Sequence, residues 1–580
     1  MPSIPLTTTT LYQLPLRCLL SKPYAAKRER SASHWALWLL VVLVPWLTAC
    51  ASLPDHVDRP VSTALANPAQ TRLGSVIADR AKKAGTRNDS GFALVGSAEL
   101  AFTSRMALIK AAEKTLDIQY YAIFADKTTD RLFDALREAA ARGVRIRILL
   151  DDFNTSGKNS QVLKLAFENN MELRLFNPLP GGRSSLAMRI ITNLNDVDRI
   201  QRRMHNKIFV ADNALAITGG RNLGETYFGQ SSGTNFVDID VLAAGRIARD
   251  LSRSFDQYWN NPLAYPVQSL MTKEEIEALK PAPRSDKPGE PIDPADAANS
   301  GNVAAESLLP IPLVTDPSSP DGQIKPLPET TDLRLLKWTW APSTLLVDKP
   351  GKIAADADTV EAAEDTTVDG LLQLMAQAKT NLLIVSPYFV PGNRTMAQFA
   401  DLRKSGVRVR VLTNSLASND APAAHVGYAR YRKALLEMGV EIYEMRAEQA
   451  GTFRSFGGLA ISAGSNGGGG SSRASLHSKV VVIDDWLLVV GSMNLDLRSQ
   501  LQNSEVAVAI RNRTISAEAI QLIEPTINTG AYKVQLDGGK LVWRAPQGSN
   551  LQDSTSEPDT SAILRLAVKL LGPLAPDEML

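Results

Sequence analysis

The chain of 580 residues is nearly without cysteine, holding only Cys18 and Cys50. Two cysteines cannot make a disulfide framework or a Cys-rich zinc site. It also lacks a charge of one sign: 63 Lys and Arg stand against 61 Asp and Glu, a net of +2. A surface built wholly for nucleic acid is thereby excluded, and any basic patch must be local. Histidine is scarce, with five residues at 34, 56, 205, 425 and 477. The one long apolar run, Trp35 to Thr48, is 14 residues, short for a membrane span. What remains is an ordinary globular composition, 44% hydrophobic and 21% charged, at a length that calls for two or more domains.

That apolar run follows a basic stretch (Arg17, Lys22, Lys27, Arg28, Arg30) and ends in Leu47-Thr48-Ala49-Cys50. Basic region, apolar run and small residues before a cysteine resemble the bacterial lipobox. The resemblance implies a lipoprotein signal peptide over 1–49, with Cys50 the lipid anchor and first mature residue. Ala51 behind it is similar to outer-membrane rather than inner-membrane lipoproteins; the expected address is the cell envelope, anchored on the periplasmic face, with the inner membrane still open. The alternative is an uncleaved N-terminal anchor helix.

The chain is also written twice. Leu116–Asp152 reads as a short β-rich run, a helical pattern stopped at Gly143 and the alternating strand VRIRILL. Asn381–Ser415 repeats that order, with Gly406 as the stop and VRVRVLT as the strand. Strand, helix, strand repeated predicts an α/β fold, with arginines on one face of each alternating strand and aliphatics on the other. The expected organisation is an N-terminal anchor segment over 50–90, domains over 91–265 and 331–515, a Pro/Asp/Ser-rich linker over 266–330, and a C-terminal extension over 516–580. The linker and the run SAGSNGGGGSS (462–472) read as flexible surface chain.

The chemistry sits late in each repeat. His205-x-Lys207 is followed by IFVA, Asp212, six residues and Gly219-Gly220-Arg221-Asn222; His477-x-Lys479 is followed by VVVI, Asp484, six residues and Gly491-Ser492-Met493-Asn494. Two residues apart on a strand, His and Lys share a face and can address one phosphate. A lone HxK means little, but two copies at identical spacing in a repeat mean much. This pattern identifies the chain as a member of the phospholipase D superfamily. The blocks LDIQYYAIFAD, RRMHNKIFVADN, ITGGRNLGETYF, IVSPYFVPG and ASLHSKVVVIDD further resemble bacterial cardiolipin synthases of the C type.

The resemblance implies two similar α/β sandwich domains about a pseudo-twofold axis, with one active site at their interface. It implies His205 as nucleophile forming a phosphohistidine and His477 as general acid and base, although the residues themselves are symmetric on this point. Lys207, Lys479, Asn222 and Asn494 would hold phosphate oxygens, with no metal and no cofactor. Asp238 (with Asp240 close behind) is expected to orient His205, and Glu505 to orient His477. Asp212 and Asp484 complete the motif and read as turn caps. The implied reaction passes a phosphatidyl group to phosphatidylglycerol, with phosphatidylethanolamine a possible donor, at a membrane surface and without nucleic acid. A phospholipase D hydrolase or a periplasmic nuclease are the alternatives. His425 either lines the lipid pocket or packs under its helix. In SAILRLAVKLL (561–571), Ile563, Leu564, Ala567, Val568 and Leu571 share a helical face opposite Arg565 and Lys569, which suits either an interface or ordinary packing.

Overall fold

Two sheets of nine strands, one from each repeat, organise the computed structural model. It describes residues 52–275, 327–354, 366–447 and 473–571, except 87, 184 and 273. The expected signal peptide and Cys50, residues 276–326 of the linker and the glycine run lie outside the described residues. The described residues belong to one unit, Ser52–Leu580.

The first half supplies β1 (Ser90–Val95), β2 (Thr115–Tyr120), β3 (Arg145–Asp151), β4 (Met171–Phe176), β5 (Ile208–Ala211), β6 (Leu215–Gly219), β7 (Thr234–Val237), β8 (Asp240–Ala244) and β9 (Ala264–Pro266). Then come β10 (Thr339–Ala341), β11 (Ser343–Val347), β12 (Asn381–Val385), β13 (Arg408–Asn414), β14 (Glu441–Met445), β15 (Arg473–Leu476), β16 (Val480–Ile483), β17 (Leu487–Gly491), β18 (Val506–Arg511), β19 (Ala531–Asp537) and β20 (Lys540–Arg544). The sheets run β10-β1-β8-β6-β5-β2-β3-β4-β9 and β11-β18-β17-β16-β12-β13-β14-β19-β20. From β1 and from β11 the two orders match strand for strand. The repeat is thus a repeat of topology: a parallel β2-β3-β4 or β12-β13-β14 core with antiparallel neighbours.

The expected βαβ units form. Each helix, Lys127–Ala141 or Gly392–Lys404, stops before a glycine in the left-handed region, Gly143 at φ +91° and Gly406 at φ +83°. The structure redraws two boundaries. The second sheet continues through β19 and β20 to Arg544, past residue 515, because the helix Arg513–Thr529 repeats Arg246–Trp259 and must return its chain to the sheet edge. β10, beyond the linker, belongs to the first sheet. On the arginine face of β3, Arg147 is fully buried between Asp117 and Asp256, both at 2.7 Å. An extended strap covers it, with Ser62 and Pro60 carbonyls accepting from Arg147 and Arg174.

The halves meet across an apolar layer. Val237, Ile239 and Val241 of the first half pack in one cluster with Val480, Val482 and Val508 of the second. Burial on both faces explains why β5, β6, β16 and β17 read as unbroken aliphatic runs rather than alternating ones.

Asp212 and Asp484 sit at the far end of these strands from the histidines. Asp212, at φ +51° beside Asn213 at the same angle, makes the tight turn of the β5–β6 hairpin. Its carboxylate accepts from the backbone N–H of Glu113, Lys114 and Thr115 at 2.8–3.0 Å. Asp484 does the same for Lys379, Thr380 and Asn381 at 2.7–2.9 Å. They fasten one hairpin to the start of the neighbouring parallel strand. Asp212→Ala should therefore cost about 2–4 kcal/mol, since part-buried and buried N–H groups lose their acceptor. Urea unfolding would show it, with Asp212→Asn losing less because Asn keeps one oxygen and tolerates the turn.

The C-terminal extension is locked down by buried charge. Arg432 reaches Glu557 at 2.7 Å and Glu444 at 3.1 Å, with the wholly buried His425 ring 3.0 Å from Arg432 and 3.3 Å from Glu557. Of the two expected places for His425, this is the packing one. The helix Ala562–Leu571 half-buries Leu564, Ala567 and Val568 and packs near the helix Pro422–Glu437. Its exposed apolar stripe is instead Ile563, Leu566 and Leu570, and Arg565 is spent on the Thr560 carbonyl at 2.7 Å.

Candidate active site

Two short backbone pairings between the halves build the site. β7 and β15 pair in parallel up to Val237 and Leu476, and the next N–H, of His477, donates to the Val237 carbonyl at 2.9 Å. At the other motif Met204 bridges Ser504, and His205 N–H donates to the Ser504 carbonyl at 2.9 Å. The residue after Val237 is Asp238, and the residue after Ser504 is Glu505. Each carboxylate is thereby delivered to the histidine of the opposite half.

The orienting pairs consequently cross. His205 Nδ1 lies 2.9 Å from Glu505 Oε2, and His477 Nδ1 lies 2.9 Å from Asp238 Oδ2. This corrects the expectation that each histidine takes the acid downstream in its own half: parallel pairing across the interface brings the other half's strand alongside. Asp240 turns away, to Arg105 at 2.9 Å and Arg221 at 3.4 Å. With Nδ1–H given to a carboxylate, each ring keeps its Nε2 lone pair for the cleft.

Glycine and serine differ instructively at one repeat position. A Cβ on Gly220 would lie 2.4 Å from Asp238 Oδ1, so only glycine admits that carboxylate. Its counterpart Ser492 donates its hydroxyl to Glu505 Oε2 at 2.5 Å, and Ser499 donates to Oε1 at 3.0 Å. Glu505 is thus held by two hydroxyls as well as a histidine.

Electrostatics follow from burial. Desolvation pushes His205 down to about 4 against the pull of Glu505, with Lys207 and Lys479 adding to the depression. Burial and the charges of Lys479 and Lys207 take His477 well below its ordinary value. Burial likewise lowers Lys207 to about 7 and Lys479 to about 8. Burial acts to raise Glu505, but His205, Lys207 and Ser492 outweigh it and hold the carboxyl below its usual range. Burial raises Asp238 to about 6, even with Lys479 and Arg221 opposing. At neutral pH both rings are therefore neutral and both acids ionised. An arriving phosphate anion, by adding negative charge in a dry site, raises the rings toward protonation.

Lys207 Nζ and Lys479 Nζ each fold back onto the carbonyl of their own histidine, Lys207 at 2.7 Å. Asn222 is committed, accepting from Ala122 N–H at 3.2 Å and donating to the Tyr227 hydroxyl at 3.0 Å. Asn494 Oδ1 is buried with no partner among the described residues. Sequence reasoning missed an aromatic collar. Tyr121 stands edge-on to His205 with ring centres 5.1 Å apart, and Tyr227 and Phe236 flank His477 at 5.2 and 5.1 Å. Tyr121 was readable as the last residue of the strand run LDIQYY, but Tyr227 and Phe236 reach the second motif only across the interface. Among the described residues no His, Cys, Asp and Glu are grouped to hold a metal ion.

Residues 106–259 and 371–526 each match the family model described as cardiolipin synthase, PLD-like domain. The chain belongs to that family. It is 34% identical over 473 residues to cardiolipin synthase C of Escherichia coli (strain K12), covering 81% of this chain and 92% of that one. It is 23% identical to a cardiolipin synthase of Geobacillus kaustophilus (strain HTA426), covering 71% and 61%. A phosphatidylserine synthase structure from Haemophilus influenzae Rd KW20 superposes with a TM-score of 0.51 at 14% identity, covering 87% of this chain and 99% of that one. That likeness extends the shared fold over both halves.

Proposed function

We propose that this enzyme is a phosphatidyltransferase that forms cardiolipin through a phosphohistidine. The carrying observation is the paired, crossed and buried histidine–carboxylate arrangement, in a chain of the cardiolipin synthase, PLD-like family. His205 Nε2 attacks the donor phosphorus while His477 gives a proton to the departing alcohol oxygen; the P–N bond forms as that P–O bond breaks. His477 then takes the proton of the phosphatidylglycerol hydroxyl, whose oxygen displaces His205 from phosphorus. Lys207, Lys479 and Asn494 surround the non-bridging oxygens and balance the growing charge, while Asn222 stays tied to Ala122 and Tyr227. Phosphatidylethanolamine is a fitting donor: its alkoxide oxygen takes the His477 proton and leaves as ethanolamine with its ammonium group still charged, while the phosphate charge stays on the enzyme-bound phosphatidyl group.

A lipid substrate calls for contact with a membrane surface. Two apolar stripes support it: Ile563, Leu566 and Leu570 of the C-terminal helix, and Met188, Ile191 and Leu194 before the first motif, exposed by 57–60%. Among the described residues no helix is long and apolar enough to cross a membrane. Attachment through Cys50 in the envelope, on the outer membrane by virtue of Ala51, belongs to this proposal and rests on the lipobox-like run that ends at Cys50. The test is an assay with phosphatidylglycerol and phosphatidylethanolamine in detergent micelles, repeated on separated membrane fractions. Cardiolipin with ethanolamine release, strongest in the outer-membrane fraction, is expected. Accumulation of phosphatidic acid alone would make the enzyme a hydrolase.

A further inference from the structure

A two-fold site must serve a reaction that is not two-fold, because donor and acceptor are different lipids at different stages. Asymmetry between the halves is therefore informative. The motif ends run Asn222-Leu223-Gly224-Glu225-Thr226 in the first half and Asn494-Leu495-Asp496-Leu497-Arg498 in the second. At the position where the first half has Thr226, the second has an arginine.

Arg498 lies on the short helix Leu497–Leu501, next to Ser499, whose hydroxyl holds Glu505 and hence His205. Its guanidinium is an electrostatic neighbour of the Tyr121 hydroxyl and of the Asp496 carboxylate. Tyr121 in turn stands against His205, with Lys207 Nζ 5.7 Å from its ring centre. Arg498 is half-buried, yet its side chain makes no hydrogen bond and no ion pair within 4 Å to a described residue. Arg203, the other arginine beside Tyr121, is spent: its nitrogens go to Asp151 at 3.3 Å and to the carbonyls of Arg202, Asn177 and Arg199. Arg498 thus faces the Asp496 carboxylate across space while its own forked N–H donors end on no described acceptor, which leaves them able to take an anion arriving beside the nucleophile.

The reacting phosphate already has Lys207, Lys479 and Asn494. A phosphatidylglycerol acceptor brings a second phosphate, three carbons from the hydroxyl that reacts. We propose that Arg498 binds that second, unreactive phosphodiester of the acceptor lipid, in the forked geometry arginine offers and lysine does not. This rests on the phosphatidyltransferase reading above. In the transfer step the glycerol hydroxyl oxygen bonds to phosphorus, the P–N bond to His205 breaks, and the hydroxyl proton passes to His477; Arg498 forms and breaks no bond and acts by positioning the acceptor.

The experiment compares two acceptors that differ in that phosphate: phosphatidylglycerol, giving cardiolipin, and free glycerol, giving phosphatidylglycerol. Both are supplied with phosphatidylethanolamine as donor in neutral detergent micelles, to wild type, Arg498→Gln and Arg498→Lys. For Arg498→Gln the ratio of transfer to phosphatidylglycerol over transfer to glycerol should fall at least about tenfold, chiefly through KM for phosphatidylglycerol. Arg498→Lys should fall in between. If both transfers drop in proportion, Arg498 is merely structural, and if neither drops, the phosphate lies elsewhere; either result overturns the proposal. Wild type making no cardiolipin would instead bring down the functional reading, and this inference with it.

Discussion

His205→Ala is expected to lower cardiolipin formation by at least about a thousandfold, and His477→Ala by a comparable factor, because in the proposed mechanism each histidine carries a bond-making or proton-moving role. The two losses should differ in kind. With a donor whose leaving group is a nitrophenol, departure needs no proton. His477→Ala should then release nitrophenol and accumulate the phosphoenzyme, because its acid function is dispensable in that step while its base function is missing in the next. His205→Ala should release nothing, since no nucleophile remains. The measurement is the nitrophenol burst together with radiolabel retained on the protein. A burst from His205→Ala and none from His477→Ala would reverse the assignment, a reversal the near-symmetry of the two rings permits: both are buried, both are deprotonated at neutral pH, and both give Nδ1–H to a carboxylate. Folding is checked in the same samples by urea unfolding. Loss of either imidazole takes one hydrogen bond from an ionised, buried carboxylate, leaving Glu505 to Ser492 and Ser499 and Asp238 to the Ile239 N–H, so a modest fall in stability is expected beside the kinetic one.

Local features of the fold were legible because they are local. Gly143 and Gly406 announce helix ends through their own conformation, and Asp212 and Asp484 announce hairpin turns. The motif spacing was legible because a strand puts His205 and Lys207, or His477 and Lys479, on one face by geometry alone. What the sequence hid is what depends on contact between halves. Asp238 lies 33 residues from His205 and 239 from His477, so distance along the chain favours the wrong partner. The right one follows only from β7 pairing with β15 in parallel, a pairing between strands more than two hundred residues apart that no periodicity encodes. The burial of Arg147 was hidden for a related reason. Alternation puts the arginines on one face of the strand but does not say what covers that face, and Asp117, Asp256 and the strap at Ser62 satisfy the Arg147 guanidinium in the interior.

The crossed wiring makes the second large prediction. Glu505→Gln keeps the size of the side chain but removes the negative charge that offsets the positive charge His205 acquires as it attacks phosphorus. Replacing the carboxylate behind a catalytic histidine in this way costs up to about 10⁴-fold in a serine protease, so a loss of roughly 10²–10⁴-fold is expected here. The amide also has to choose between accepting from His205, Ser492 and Ser499 with one oxygen where the carboxylate used two. Its NH2 group, pointed at His205, would favour a rotated ring or the wrong tautomer, which removes the lone pair from Nε2. Because Glu505 acts through His205, Glu505→Gln should slow the nitrophenol burst itself, and adding it to His205→Ala should cost nothing further. Asp238→Asn, acting through His477, should spare that burst and slow the transfer to phosphatidylglycerol. Were each acid to serve the histidine of its own half, the two variants would exchange phenotypes: Asp238→Asn would suppress the burst and Glu505→Gln would leave it intact. A single leaving-group comparison thus reads the connection between the two halves, and it does so in kinetics that a general loss of folding could not mimic, since unfolding would take the burst and the transfer together.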